Sequence, residues 1–165
     1  MQETQTQADA SSAMLELLSF TLAGQDYAVD IMLVREIRNW SKPTPLPKTP
    51  DYVRGVINLR GTVLPILDLA RRLELDGEAS QERAVYIVLN DGGRLFGITV
   101  DAVSDILTIP LDALQDPPAV GGSTRDNCVK GLILDDERLI RVLATERLAQ
   151  SGTTEGGPSA DIAAA

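Results

Sequence analysis

Histidine is absent from the 165-residue sequence, and cysteine occurs once, at Cys128. The first absence removes Ser-His-Asp and Cys-His catalytic arrangements, and with them the commonest zinc sites. The second removes any disulfide within the chain and leaves Cys128 as a small buried hydrophobe by expectation. Aromatic residues make up only 4%, so a core has to be built from Val, Ile and Leu. No apolar run reaches membrane-spanning length, and the first residues lack the basic start and apolar stretch of a secretory leader. Positive charge is also in short supply: the net charge is −9 and the pI near 4.4. That balance argues against a nucleic-acid or anionic-membrane partner, since both attract basic stripes. A cytoplasmic location is the expectation.

What is present is ordinary for a soluble domain: 44% hydrophobic and 24% charged residues. The aliphatics fall in many short runs separated by glycine turns, which favours small antiparallel barrels over long helices. Residues 1–13 and 151–165 are small, polar and aperiodic and are expected to be flexible tails. The folded part is expected over 14–150, as one domain or two small lobes sharing a core.

The reading along the chain is a series of hairpins. A strand through Phe20 and Leu22 turns at Gly24-Gln25-Asp26 and returns through Tyr27 and Val29. A tight turn then leads into a strand over Val34–Trp40. Pro43, Pro45, Pro47 and Pro50 make an extended, stiff surface connector. "GVINL" and "TVLPILDL" are strands joined at Arg60-Gly61, apolar on both faces, with Arg60 at the tip of the ribbon. "LARRLEL" gives a short helix. A hairpin around Asn90-Asp91-Gly92-Gly93 continues through Val103 to Ile109, and a last hairpin turns at Asp135-Asp136-Glu137 before the short helix "ATERLAQ". Hairpin, apolar strand and short helix occur around 15–75 and, in a different order, around 83–150. This loose echo suits two similar lobes.

No reaction centre emerges. Asp135-Asp136-Glu137 reads as a solvated turn and lacks the alternating oxygen ligands of a calcium loop. Asn90-Asp91-Gly92-Gly93 is what a hairpin turn requires. Gly121-Gly122-Ser123-Thr124 has neither the lysine nor the strand-to-helix setting of a phosphate loop. Asp101 and Asp105 have no acid-base partner that spacing identifies. No catalytic residue, metal ligand or cofactor is therefore expected. Val34, Glu36, Arg60 and Val103 are mixed positions beside apolar strands, and an apolar surface with one fixed charge of each sign suits a partner's helix. On the residues alone, Arg60 and Glu36 could equally be solvated turn and edge residues.

The pieces "SFTLAGQDYAVDI", "VREIR", "TPDYVRGVINLRGTVLPILDL" and "FGITVDAVSDIL" closely resemble the CheW family of bacterial chemotaxis coupling proteins, from about Leu17 to Leu148. The resemblance implies two five-stranded SH3-like barrels sharing a hydrophobic core, and a non-enzymatic adaptor. Such an adaptor links the cytoplasmic tips of methyl-accepting chemoreceptors to the regulatory domain of the histidine kinase CheA, in membrane-associated arrays but without inserting into the membrane. The positions matching the family's receptor-contacting motif are Val34, Glu36, Asn58, Leu59, Arg60 and Val103. In that reading Arg60 is the polar anchor, Glu36 selects register and the aliphatics are the buried contact. Kinase-contacting residues are not assigned.

Two departures accompany the resemblance. Leu143-Ala144-Thr145 stands where the family often has an acid after its apolar pair, which puts the capping of the last helix in doubt. The 43–50 stretch is also stiffer than in many relatives. The alternatives are the coupling domain of a receiver-fused, CheV-like relative and, in a different class, a small hydrolase using Asp135, Asp136 or Glu137.

Overall fold

A computed structural model of the chain describes residues 13–75, 83–117 and 128–148. The expected tails, apart from Ala13, and the 121–124 loop lie outside the described residues. Among the described residues ten strands form two five-stranded sheets. They are β1 (Met14–Leu22), β2 (Gln25–Asp30), β3 (Val34–Asn39), β4 (Val53–Leu59), β5 (Thr62–Asp68), β6 (Val85–Asp91), β7 (Arg94–Val100), β8 (Ala102–Pro110), β9 (Val129–Asp135) and β10 (Arg138–Leu143). One sheet has the order β8-β1-β2-β10-β9, the other β3-β6-β7-β5-β4. Short helical turns at Leu69–Arg72 and Thr145–Leu148 follow β5 and β10.

The sheets curl back on themselves. β3 and β4 lie at opposite ends of the second sheet's order, yet the connector after β3 returns to β4 through an isolated bridge, Thr44 to Val56. The first sheet repeats the device: after β8, Gln115 bridges to Leu132 on β9. Each bridge covers an edge that would otherwise expose unpaired backbone groups. The proline-rich connector is therefore a closing element of a barrel as well as a stiff link. Gly55 makes its close approach possible, since a Cβ there would lie 2.2 Å from the Thr44 carbonyl oxygen.

The internal echo is tighter than the sequence suggested, and its order is conserved rather than changed. β1 to β5 with the first helical turn correspond, element by element, to β6 to β10 with the second. "VRGVINL" of β4 matches "VKGLILD" of β9, and Tyr27, Val34 and Glu36 correspond to Phe96, Val103 and Asp105. Even single hydrogen bonds repeat: Asp68 N–H donates to the Tyr52 carbonyl and Ala144 N–H to that of Cys128, both at 2.7 Å. The repeats are not the lobes, however. Each sheet takes a hairpin from one repeat (β1–β2 or β6–β7) and three strands from the other. The two halves of the chain are exchanged across the shared core.

That core joins Leu18, Phe20, Tyr27 and Val29 of one sheet to Leu67, Ile87, Phe96 and Ile98 of the other, with Cys128 buried among them. Smaller clusters fill each barrel. Phe20 and Tyr27 pair across strands with stacked rings 6.0 Å apart, which suits a core short of aromatics. Arg72 fastens the two helical turns together. It is buried, and it donates from Nε to the Leu148 carbonyl at 3.0 Å and from Nη2 to the Arg147 carbonyl at 2.8 Å.

Two local expectations need correction. The first hairpin turns at Ala23-Gly24, because Leu22 already pairs with Gln25. Both turn residues have positive φ, and Asp101 Oδ2 accepts the Ala23 N–H at 3.0 Å. The β4–β5 ribbon is also not apolar on both faces along its length. Near its tip only one face is covered, and Asn58, Thr62 and Val63 are exposed while Leu59 and Leu64 are buried.

Candidate functional site

Asn58 builds the tip of the β4–β5 ribbon. Its Oδ1 accepts the Gly61 N–H at 2.8 Å, a short-range side-chain bond that favours a turn. Arg60 and Gly61 have φ of 52° and 87°, the pair of positive values that matches a two-residue hairpin to the twist of its strands. Gly61 accepts this freely. Arg60 does not: a left-handed conformation costs an L-residue on the order of 1 kcal/mol. In exchange the arginine is carried outward at the ribbon's end.

The other half of the site is β3, an edge strand. Glu36 and Arg38 share one face of it, half-buried, while Ile37 and Asn39 are exposed on the other; before them Val34 is half-buried and Arg35 exposed. The pairing with β6 shifts register between Val34 and Glu36, and such a bulge re-aims the side chains beside it. Curling of the sheet brings this edge to the ribbon tip. Arg60 Nη2 donates to both Glu36 carboxylate oxygens at 3.1 Å. Arg38 Nη1 lies 3.7 Å from Glu36 Oε2.

The Arg60 side chain remains 69% exposed and Glu36 24%. An exposed pair of this kind adds about 0–1 kcal/mol to stability. Its principal effect is to hold a guanidinium in one place on the surface.

The structure thus brings Glu36, Asn58 and Arg60 together. Leu59 lies beneath them, 7% exposed, in the cluster with Ile57, Leu64, Ile66, Tyr86 and Val88. Val34 and Val103 sit at corresponding positions in the two repeats, one on each sheet, and both pack against the shared core. Sequence reasoning missed Arg38. The signal was available in "VREIR", where alternation places Arg38 on the same face as Glu36.

The polar groups elsewhere are structural. Arg54 meets the buried Asp68 at 2.6 Å through Nη2 and 3.0 Å through Nε. Asp68 Oδ1 also accepts the Arg71 N–H, capping the first helical turn. The corresponding residue in the second repeat is Ala144, which has no side-chain oxygen to offer. The departure noted in the sequence therefore falls at the cap of the last helical turn. The Tyr86 hydroxyl donates to the Ser41 carbonyl, and burial pushes its pKa up. Burial likewise pushes the Cys128 thiol up, opposed by Arg72 and Arg147. Asp136 and Glu137 lie exposed at a hairpin tip, with Asp135 half-buried beside them. Among the described residues no three His, Cys, Asp or Glu side chains are grouped to hold a metal ion, and no helix is long and apolar enough to cross a membrane.

Two five-stranded barrels around one core, with a fixed pair of opposite charges at an exposed ribbon tip, define a two-barrel β-protein. A family profile described as "CheW-like domain" matches residues 16–153, and the chain belongs to the CheW family. It is 40% identical over 140 residues to the probable chemotaxis protein CheW of Rhizobium etli, covering 85% of this chain and 90% of the relative. To the chemotaxis protein CheW of Klebsiella aerogenes it is 38% identical over 136 residues, 82% of each chain. The fold matches the crystal structure of the scaffolding protein TtCheW from Thermoanaerobacter tengcongensis with a TM-score of 0.77 at 28% identity, over 85% of this chain and 90% of that one. The expected two SH3-like barrels and the role of chemotaxis coupling adaptor are both supported.

Proposed function

We propose that the face formed by β3 and the β4–β5 tip receives the helical hairpin tip of a methyl-accepting chemoreceptor, while a separate surface engages the regulatory domain of CheA. The protein then acts without catalysis, in the cytoplasm, at receptor arrays. The observation that supports this reading is the Glu36–Arg60 pair, held at an exposed turn above a packed floor. Arg60 anchors the receptor helix through a polar contact, and Glu36 fixes where that anchor stands. Val34 and Val103 supply apolar contact. Asn58 and Leu59 shape the tip and its floor.

Calorimetric titration of a receptor-tip fragment into the full chain tests the reading. Arg60→Glu places two carboxylates together and removes the anchor, so affinity should fall at least tenfold with the melting temperature little changed. Unchanged affinity removes Arg60 from the dock.

A further inference from the structure

Arg38 has no settled partner. Its Nε is buried and makes no hydrogen bond, and its Nη1 shares with Arg60 the one carboxylate of Glu36, at the longer distance of 3.7 Å. Two arginines therefore share one glutamate on this face, with Arg35 exposed farther along the same strand, in a chain whose net charge is −9.

The second repeat shows that the fold does not require this. At the corresponding places the chain has Leu107 for Arg38, Asp105 for Glu36, Ser104 for Arg35 and Asp136 for Arg60, and the same strands form with the same pairing. Asp136 even keeps the positive φ, 56° against 52° for Arg60. The local excess of positive charge belongs to one lobe and has no architectural cause.

We propose that Arg38 determines specificity in the dock by receiving an aspartate or glutamate on the partner's helix. The inference rests on the reading of this face as the receptor dock. In the free protein Glu36 is divided between two guanidinium groups. When a partner carboxylate arrives at the β3 edge, Arg38 turns from Glu36 to that acid. It can then use Nε and Nη side by side, the forked geometry that arginine offers to a carboxylate, and the unpaired Nε is satisfied. Glu36 is left wholly to Arg60. A partner with lysine or arginine at that position meets two like charges and is rejected.

The test uses the full chain and the receptor-tip fragment in calorimetry. Arg38→Glu should lower affinity at least tenfold. Arg38→Lys, which keeps the charge and loses the fork, should lower it severalfold. Changing each acid of the fragment to lysine in turn should yield one variant that restores binding to Arg38→Glu while binding the unaltered chain poorly. Thermal melting of each variant confirms that the fold is intact. The inference is overturned if Arg38→Met binds like the unaltered chain, or if no single acid reversal restores binding. Failure of the receptor reading looks different: there Arg60→Glu itself leaves binding unchanged.

Discussion

Arg60 holds two properties that stability alone would not select. It occupies a left-handed conformation that arginine disfavours, and its ion pair is too exposed to repay that cost. Arg60→Asn should therefore keep or raise the melting temperature, because asparagine tolerates this conformation, while receptor-tip binding falls. A melt and a titration on the same variant check both halves. Cys128 and Tyr86 act in the opposite direction. Their folded pKa values are raised by burial from ordinary values of 9.0 and 10.0, so the unfolded chain loses those protons first. The stability they contribute is complete below about pH 9 and declines as pH rises through their folded values. Urea melts between pH 8 and 11 should show this decline, and Cys128→Ala should make it shallower.

At the scale of elements, the two barrel-closing bridges depend on glycine to different degrees. Gly55 has φ of 146°, and a Cβ would strike the Thr44 backbone, which cannot move without losing the bridge to Val56. At Gly131 the obstruction is chiefly the Leu114 side chain, at 2.4 Å, and a side chain can turn away. Gly55→Ala is expected to cost on the order of 2–4 kcal/mol and Gly131→Ala about 1–2 kcal/mol, measured by denaturant unfolding. Most elements were legible in the sequence, because alternating aliphatics and glycine turns mark hairpins directly. The Arg60-Gly61 tip was placed correctly for this reason. The Ala23-Gly24 turn was displaced because alanine gives no local sign of a positive φ. The pairing of Glu36 with Arg60 was not legible at all, since it depends on a sheet closing on itself between residues far apart in the chain.

The whole molecule is two copies of one pattern with their hairpins exchanged. Sequence order alone divides the chain at its middle, and nothing in either repeat says that β1–β2 must join β8–β10. The shared core was an expectation from the family resemblance, but the exchange that creates it comes from tertiary pairing. Arg72 holds this arrangement where the two helical turns meet, through two backbone carbonyls and the ring of Tyr52 at 5.2 Å. Removing it takes a charged donor away from both carbonyls. Arg72→Met is expected to lower stability by about 2–3 kcal/mol, read in denaturant.

In the proposed function the β3 edge and the β4–β5 tip together form the receptor dock. Amide hydrogen exchange of the full chain, with and without a receptor-tip fragment, would reveal that footprint. New protection is expected at residues 34–38 and 58–63, lost in Arg60→Glu. Protection confined to other strands, with these two segments unchanged, would contradict it.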